Sequence, residues 1–192
     1  TARLILSRFT GNHAMNTWIA LLRALNVGGH KKLPMAGFRA ALSGLGYESV
    51  ATYIQSGNAV FRAGEQPPEI AAANSGAVRE TFGFDVDVIV QSLDDLRDAV
   101  AENPFAKAEG DPKSLHLFFL AEPVETPDLK AMEKYATKGE EFRFTNKVLY
   151  FYTPNGFGRS ALAAKLGRFI KTPMTGRNLR SCHKIIELAR SL

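Results

Sequence analysis

The sequence predicts an α+β protein made of two tandem ferredoxin-like (βαββαβ-type) halves packed together. Three observations carry this. Strand-period and helix-period segments alternate in the order βαββαβ over residues 16 to 91. A helix and a polar connector rich in Pro and Gly follow, over 103–113. The same order of elements then starts again at Leu115. One split βαβ unit cannot easily bury both faces of its sheet, so packing two such units together is the economical solution.

Each element follows from a local pattern. Trp18 to Leu25 is an apolar run of buried-strand type, interrupted by Arg23. Asn26-Val27-Gly28-Gly29-His30-Lys31-Lys32 is a turn-rich loop closed by Leu33-Pro34. Met35, Phe38, Leu42 and Leu45 share one helical face, and Gly44 and Gly46 end that helix. Val50 to Gln55 and Ala59 to Arg62 are β-rich runs joined by Ser56-Gly57-Asn58, a hairpin signal. Pro67-Pro68 opens a helix with Ile70, Ala73, Ala77 and Phe82 inward. Val86, Val88 and Val90 alternate as a strand. Ser92 and Asp95 have capping-box spacing before Leu93, Leu96 and Val100.

After the connector, Leu115 to Ala121 is a strand, and Thr126-Pro127 starts a helix through Leu129, Met132 and Tyr135. Phe142 and Phe144 alternate with polar neighbours, and Asn146-Lys147 turns into Val148 to Tyr152. Ser160 to Ile170 is helical through Leu162, Leu166 and Phe169; Thr172 to Thr175 is a last short strand; Asn178 caps a final helix carrying Leu179, Cys182 and Ile186. The expected division is an upstream extension over 1–14, ahead of a natural start at Met15, a first α+β half over 15–102, the connector over 103–113, and a second half over 114–192.

Four segments together resemble a known family. They are Ile19-Ala20-Leu21-Leu22-Arg23-Ala24-Leu25-Asn26-Val27-Gly28-Gly29-His30-Lys31-Lys32-Leu33-Pro34-Met35, then Thr52-Tyr53-Ile54-Gln55-Ser56-Gly57-Asn58-Ala59-Val60-Phe61, then Asn103-Pro104-Phe105, and Thr175-Gly176-Arg177-Asn178-Leu179-Arg180. The chain is similar, from about Met15 to its end, to the bacterial family of unknown function designated DUF1697. That resemblance implies an α+β fold with an internal duplication and implies no activity. The family's pattern has an aromatic residue after Arg-Asn, where this chain has Leu179.

Charge is sorted along the chain. Phe142 to Ile186 holds nine Lys or Arg and no Asp or Glu, whereas Ser92 to Lys138 holds ten acids against six bases. A segregated basic segment attracts anions at a defined place. The expected partner is a phosphate-bearing small molecule, or nucleic acid bound weakly and in a salt-sensitive way. Apolar runs stop at about seven or eight residues, short of the roughly 20 of a membrane-spanning helix, so no membrane partner is expected. The single Cys182 leaves no internal disulfide and fits a reducing, cytoplasmic compartment. Oligomeric state is not encoded in any pattern.

Candidate ligand-binding residues are Arg23, Asn26, Gly28, Gly29, Lys32, Gln55, Ser56, Asn58, Arg177, Asn178 and Arg180. Gly28 and Gly29 let backbone amides turn outward as an anion cradle, with Lys31 and Lys32 adding charge, although the Gly-Lys-Ser/Thr ending of a Walker loop is missing. Arg23 interrupts an apolar strand, where a charge needs a partner or an anion. Gln55 and Ser56 at the hairpin tip are not demanded by turn chemistry. Arg177 and Arg180 flank a helix N-terminus, where positive charge opposes the dipole and a bound anion would relieve the conflict. No metal site is expected, because His13, His30, His116 and His183 are scattered; no cofactor is expected either. The alternatives are a metal-independent enzyme acting on a phosphorylated metabolite, with acid–base work done by one of these polar residues and His30, and a protein–protein interaction module.

Overall fold

Ile19 and Leu21 point to one side of the first strand and Trp18, Ala20 and Leu22 to the other, and all five are buried. The strand is a continuous apolar run because it has a core on each face. In the computed structural model, which describes residues 14–23, 32–124, 127–145 and 147–192, the elements are β1 (Asn16–Leu22), α1 (Met35–Gly44), β2 (Glu48–Tyr53), β3 (Asn58–Ala63), α2 (Pro67–Phe82), β4 (Val88–Ser92), α3 (Leu93–Ala101), β5 (Leu115–Leu120), α4 (Leu129–Glu133), β6 (Glu141–Phe144), β7 (Val148–Tyr152), α5 (Leu166–Phe169), β8 (Met174–Asn178) and α6 (Leu179–Arg190). Short 3-10 helices occur at Ala106–Gly110, Phe157–Arg159 and Ala163–Lys165.

The strands form two four-stranded antiparallel sheets, ordered β2-β3-β1-β4 and β6-β7-β5-β8. Helices α3 and α6 lie between them. Leu96 and Ala99 of α3 and Leu179, Cys182, Ile185 and Ala189 of α6 share one core with Ile19, Leu21 and Val60 of the first sheet and Leu117, Phe119 and Tyr150 of the second. The buried Tyr150 hydroxyl donates to Ala99 O at 2.7 Å, which fastens α3 to the second sheet. Phe38, Leu42, Ile70 and Val78 of α1 and α2 cover the outer face of the first sheet. Met132, Leu162, Leu166 and Ile170 cover that of the second.

Local chemistry explains most boundaries. Pro67 and Pro68 open α2, whose N-cap Gln66 and Glu69 form a reciprocal capping box. Ser92 and Asp95 do the same for α3, and Asn178 accepts from Ser181 N at 2.8 Å to cap α6.

Four expectations need correction. The Val86 strand begins two residues later, because Val86 is buried under α2, where Ser75 Oγ donates to its carbonyl. Ser160 to Ile170 is a 3-10 turn followed by a four-residue helix: Gly167 weakens helix propagation, while Leu162, Leu166 and Ile170 still bury. Helix α4 is five residues long, capped by Asp128, and ends before the exposed Tyr135. The last strand is β8, so it extends through Arg177 instead of stopping at Thr175.

Candidate functional site

The strand register decides where the hairpin tip lies. Leu21 pairs with Asn58, and Leu22 N donates to Gly57 O at 2.9 Å. The β2–β3 tip therefore sits beside the C-terminal end of β1, the point where the Gly-rich loop leaves the sheet. Asn26, Gly28 and Gly29 lie outside the described residues. Lys32, at the far end of that loop, is exposed, while the following Leu33 is buried against α1 and α2.

Arg177 arrives at this corner from the second sheet. Thr175 and Arg177 lie on one face of β8, and Gly176 on the other packs against Phe118. The Arg177 side chain reaches across to the first sheet, and its donors are saturated by acceptors on both sheets. Nε donates to Asn58 Oδ1; Nη1 donates to Thr175 Oγ1 and Gly176 O, both at 2.8 Å; Nη2 donates to Leu22 O and Ser56 O at 3.0 Å and to Gly57 O at 3.3 Å. Thr175 Oγ1 itself donates to Leu22 O at 3.3 Å. Only 7% of Arg177 is exposed, and among the described residues none of its partners is a carboxylate. Burial pulls its pKa down to about 10, with the neighbouring Cys182 opposing. Carbonyl and amide dipoles, not a counter-ion, hold this cation.

This replaces the expectation that Arg177 is a surface base at a helix N-terminus. The strand runs through it and the inter-sheet core takes its side chain. Ser56, Asn58 and Arg177 are brought together. Arg23 turns the other way along β1: its backbone N donates to Asp87 O, and its guanidinium pairs with Asp87 at 3.0 Å on the exposed surface. The charge interrupting the apolar run thus has a partner. Asn178 is occupied as the α6 N-cap. Arg180 is exposed on the first turn of α6, with its backbone N bonded to Pro112 O.

The tip itself is braced. Asn58 Nδ2 donates to Tyr53 O at 3.0 Å and to Ser56 Oγ at 2.9 Å. Gly57 has φ of 74°, as the turn requires, but so unusually does Ile54, at 48°. Gln55 is exposed beside it. Sequence reasoning missed Leu22, Thr175 and Ile54. Leu22 contributes only a backbone carbonyl, which leaves no residue signature; Thr175 is a threonine in a short strand, which by itself implies no role; a β-branched residue in the left-handed region has no sequence mark.

The nine bases do not form one face. The order β6-β7-β5-β8 puts Arg143 on one edge of the second sheet and the β8–α6 corner, with Arg180, at the other. Lys165 lies over the Tyr135 ring and Lys184 pairs with Glu187. Among the described residues no group of three His, Cys, Asp or Glu could hold a metal, and no helix is long and apolar enough to cross a membrane. Asp85 and Asp87 are paired with Arg79 and Arg23.

Comparison with known proteins agrees with the sequence resemblance. The solved structure titled as that of conserved bacterial protein SP0830 from Streptococcus pneumoniae is similar at a TM-score of 0.71 and 24% identity, covering 92% of this chain and 99% of that one. At that identity the likeness is one of fold. No curated protein matches the chain. The model of a family described as "Protein of unknown function (DUF1697)" matches residues 15–150, and the chain belongs to that family.

Proposed function

We propose that the protein binds a phosphate-bearing ligand, a nucleotide or nucleic acid, at the corner formed by the end of β1, the loop that follows it and the β2–β3 tip. The observation that carries this is Arg177. A cation 7% exposed, with no carboxylate among its partners in the described residues, leaves a net positive charge directly beneath the tip. Its field acts through low-dielectric protein and is screened less than that of a surface lysine. Exposed Lys32 adds to it at the end of the Gly-rich loop. Arg177 itself does not touch the ligand, because its donors are taken; the contacts come from Lys32 and from the tip at Gln55 and Ser56.

Each sheet with its crossing helices is best understood as a ferredoxin-like half arising by duplication, a reading supported by the matching orders β2-β3-β1-β4 and β6-β7-β5-β8. The buried, unpaired Cys182 supports a reducing, cytoplasmic setting.

The test is a thermal-shift titration of the full chain at low salt with inorganic phosphate, mononucleotides and a short single-stranded oligonucleotide. A ligand at a hundredfold excess over its Kd stabilises the protein by about 2.7 kcal/mol. Lys32→Ala, an exposed substitution, should lower the shift without lowering the unliganded melting temperature. Absence of any shift with all of these probes overturns the proposal.

A further inference from the structure

We propose that the protein self-associates through β6, a second copy of the chain laying its own β6 antiparallel to the first and closing the cleft beside that strand. β6 is the outer strand of the second sheet. Its bonding pattern shows which of its groups are left over. Thr145 N donates to Val148 O at 2.9 Å, so these opposed residues form a hydrogen-bonded pair. Such pairs alternate along an antiparallel ladder, which makes Arg143 with Tyr150 and Glu141 with Tyr152 the next ones. The N–H and C=O of Phe142 and Phe144 therefore face away from β7, and no backbone group among the described residues bonds to them. A row of unpaired groups is a template for another strand. The matching edge of the first sheet is guarded: β2 breaks its register between Glu48 and Ala51, with Ser49 at φ of 52°. β6 pairs along β7 without such a break.

There is room on this edge. A cleft of about 790 Å³ runs beside β6. Phe105, from the core between the sheets, lines it on one side, and Leu129 of α4 on the other, with Phe142 and Phe144 between them. The cleft thus passes around the open edge. Leu129 is 45% exposed there, an apolar side chain that a second copy would cover.

Charge selects the occupant. Glu133, Glu140 and Glu141 line the cleft together with Lys138 and Arg143. Interspersed signs suit neither a polyanion nor a uniformly basic segment. They suit this strand paired with itself. Glu141 and Arg143 stand two positions apart, on one face of β6, and both are exposed. Glu141 pairs with Lys107, whereas Arg143 has no partner among the described residues. With Phe142 opposite Phe142 of the second copy, Glu141 of each copy stands opposite Arg143 of the other. Sliding by two residues would set Arg143 against Arg143, so the ion pairs fix the register. The contact is isologous, and the two four-stranded sheets become one continuous sheet.

The experiment is sedimentation velocity of the full chain over a wide range of protein concentration. β6 is four residues long, so the interface is small and the parent should be a concentration-dependent mixture of monomer and dimer. Arg143→Glu and Glu141→Lys each turn both cross-strand pairs repulsive and should weaken the dimer about tenfold or more. The double exchange Glu141→Arg with Arg143→Glu should restore it. Mixing the Arg143→Glu chain with the Glu141→Lys chain should give a heterodimer that neither forms alone. All variants should melt near the parent temperature, because both side chains are exposed. If Arg143→Glu folds poorly, Glu141→Lys and the double exchange make the same comparison. A parent that is monomeric at every concentration overturns the inference and leaves this edge to a strand of another protein. Dimerisation unchanged by the single variants, or not restored by the double exchange, overturns it too.

Discussion

Arg177 in β8 donates its Nε–H to the side-chain carbonyl of Asn58, the first residue of β3, and so joins the second sheet to the hairpin tip of the first. One side of the Asn58 carboxamide accepts from the other sheet while its NH2 braces the tip from within. The tip's shape and the packing of the two sheets therefore depend on the same pair.

Arg177→Ala should cost about 3–5 kcal/mol in urea unfolding, because carbonyls of Ser56 and Gly57 and the Asn58 oxygen lose their donor in a buried place. Arg177→Lys should recover less than half of that, since an ammonium cannot reproduce a planar fork serving acceptors on two sheets. In a double-mutant cycle, Arg177→Ala and Asn58→Ala should couple by about 1 kcal/mol or more. Additive effects would mean that the two side chains act independently.

Arg180→Ala should behave oppositely, although it is only three positions away. Its side chain is exposed on the first turn of α6, where a positive charge opposes the helix dipole. Stability should be unchanged or rise by roughly 0.3–1 kcal/mol at low salt. A loss comparable to that of Arg177→Ala would show a structural role for Arg180 as well.

These two arginines mark how far the sequence could be read. Periodicity located the strands and the long helices, and caps at Ser92 and Asn178 are local chemistry written in adjacent residues. The two glycine- and proline-punctuated regions that were misjudged, Ser160 to Ile170 and Thr126 to Tyr135, bury apolar residues at helical spacing without the length to sustain a helix. Bringing Ser56 and Asn58 to Arg177 needed strand register and the packing of one sheet on the other, a separation of 119 residues that no window contains. Sorted charge did not translate into one surface, because β6 and β8 are opposite edges of a sheet.

Gly176→Ala should destabilise by about 1–3 kcal/mol. A methyl there would stand 2.6 Å from Phe118 Cε1. Phe118 is wedged beside His116 and Phe157, so its ring cannot simply swing away. Phe118→Leu in the same chain should reduce the penalty of the glycine substitution, though it costs packing by itself. If Gly176→Ala is neutral in thermal melts, the close approach of β8 to Phe118 is relieved by backbone movement.

His116 should make the protein acid-sensitive in a defined window. Burial lowers its pKa from the usual 6.5 to about 4, and its Nδ1 is buried without a partner. The unfolded chain takes up a proton near pH 6.5, whereas the folded one resists until about 4. Stability from this group is thus complete above pH 6.5 and is lost as pH falls to about 4. The slope should approach about 1.4 kcal/mol per pH unit. His116→Phe, which keeps a ring against Phe157 at the place of a 4.2 Å centroid contact, should remove that component. An identical pH profile for the variant would place the acid sensitivity elsewhere.

Nucleic-acid binding, tested by fluorescence anisotropy, should be weak and shallow in its salt dependence. The nine bases of the 142–186 segment acting together on a single strand would give a slope of log K against log salt near −6, at about −0.7 per neutralised phosphate. The fold does not allow that sum. Arg177 is buried, Lys184 is paired with Glu187, and Arg143 and Arg180 lie at opposite edges of the second sheet. A strand at the β1 corner meets a few charges only, so the slope should not exceed roughly −3. Binding should be largely gone by a few hundred millimolar salt. Lys32→Ala should reduce the slope by about one contact, whereas Arg143→Ala, on the distant edge strand, should leave it unchanged. A slope near −6 that responds to Arg143 would instead mean that the strand wraps the second sheet and that the basic segment, rather than the corner at Leu22 and Ser56, is the binding surface.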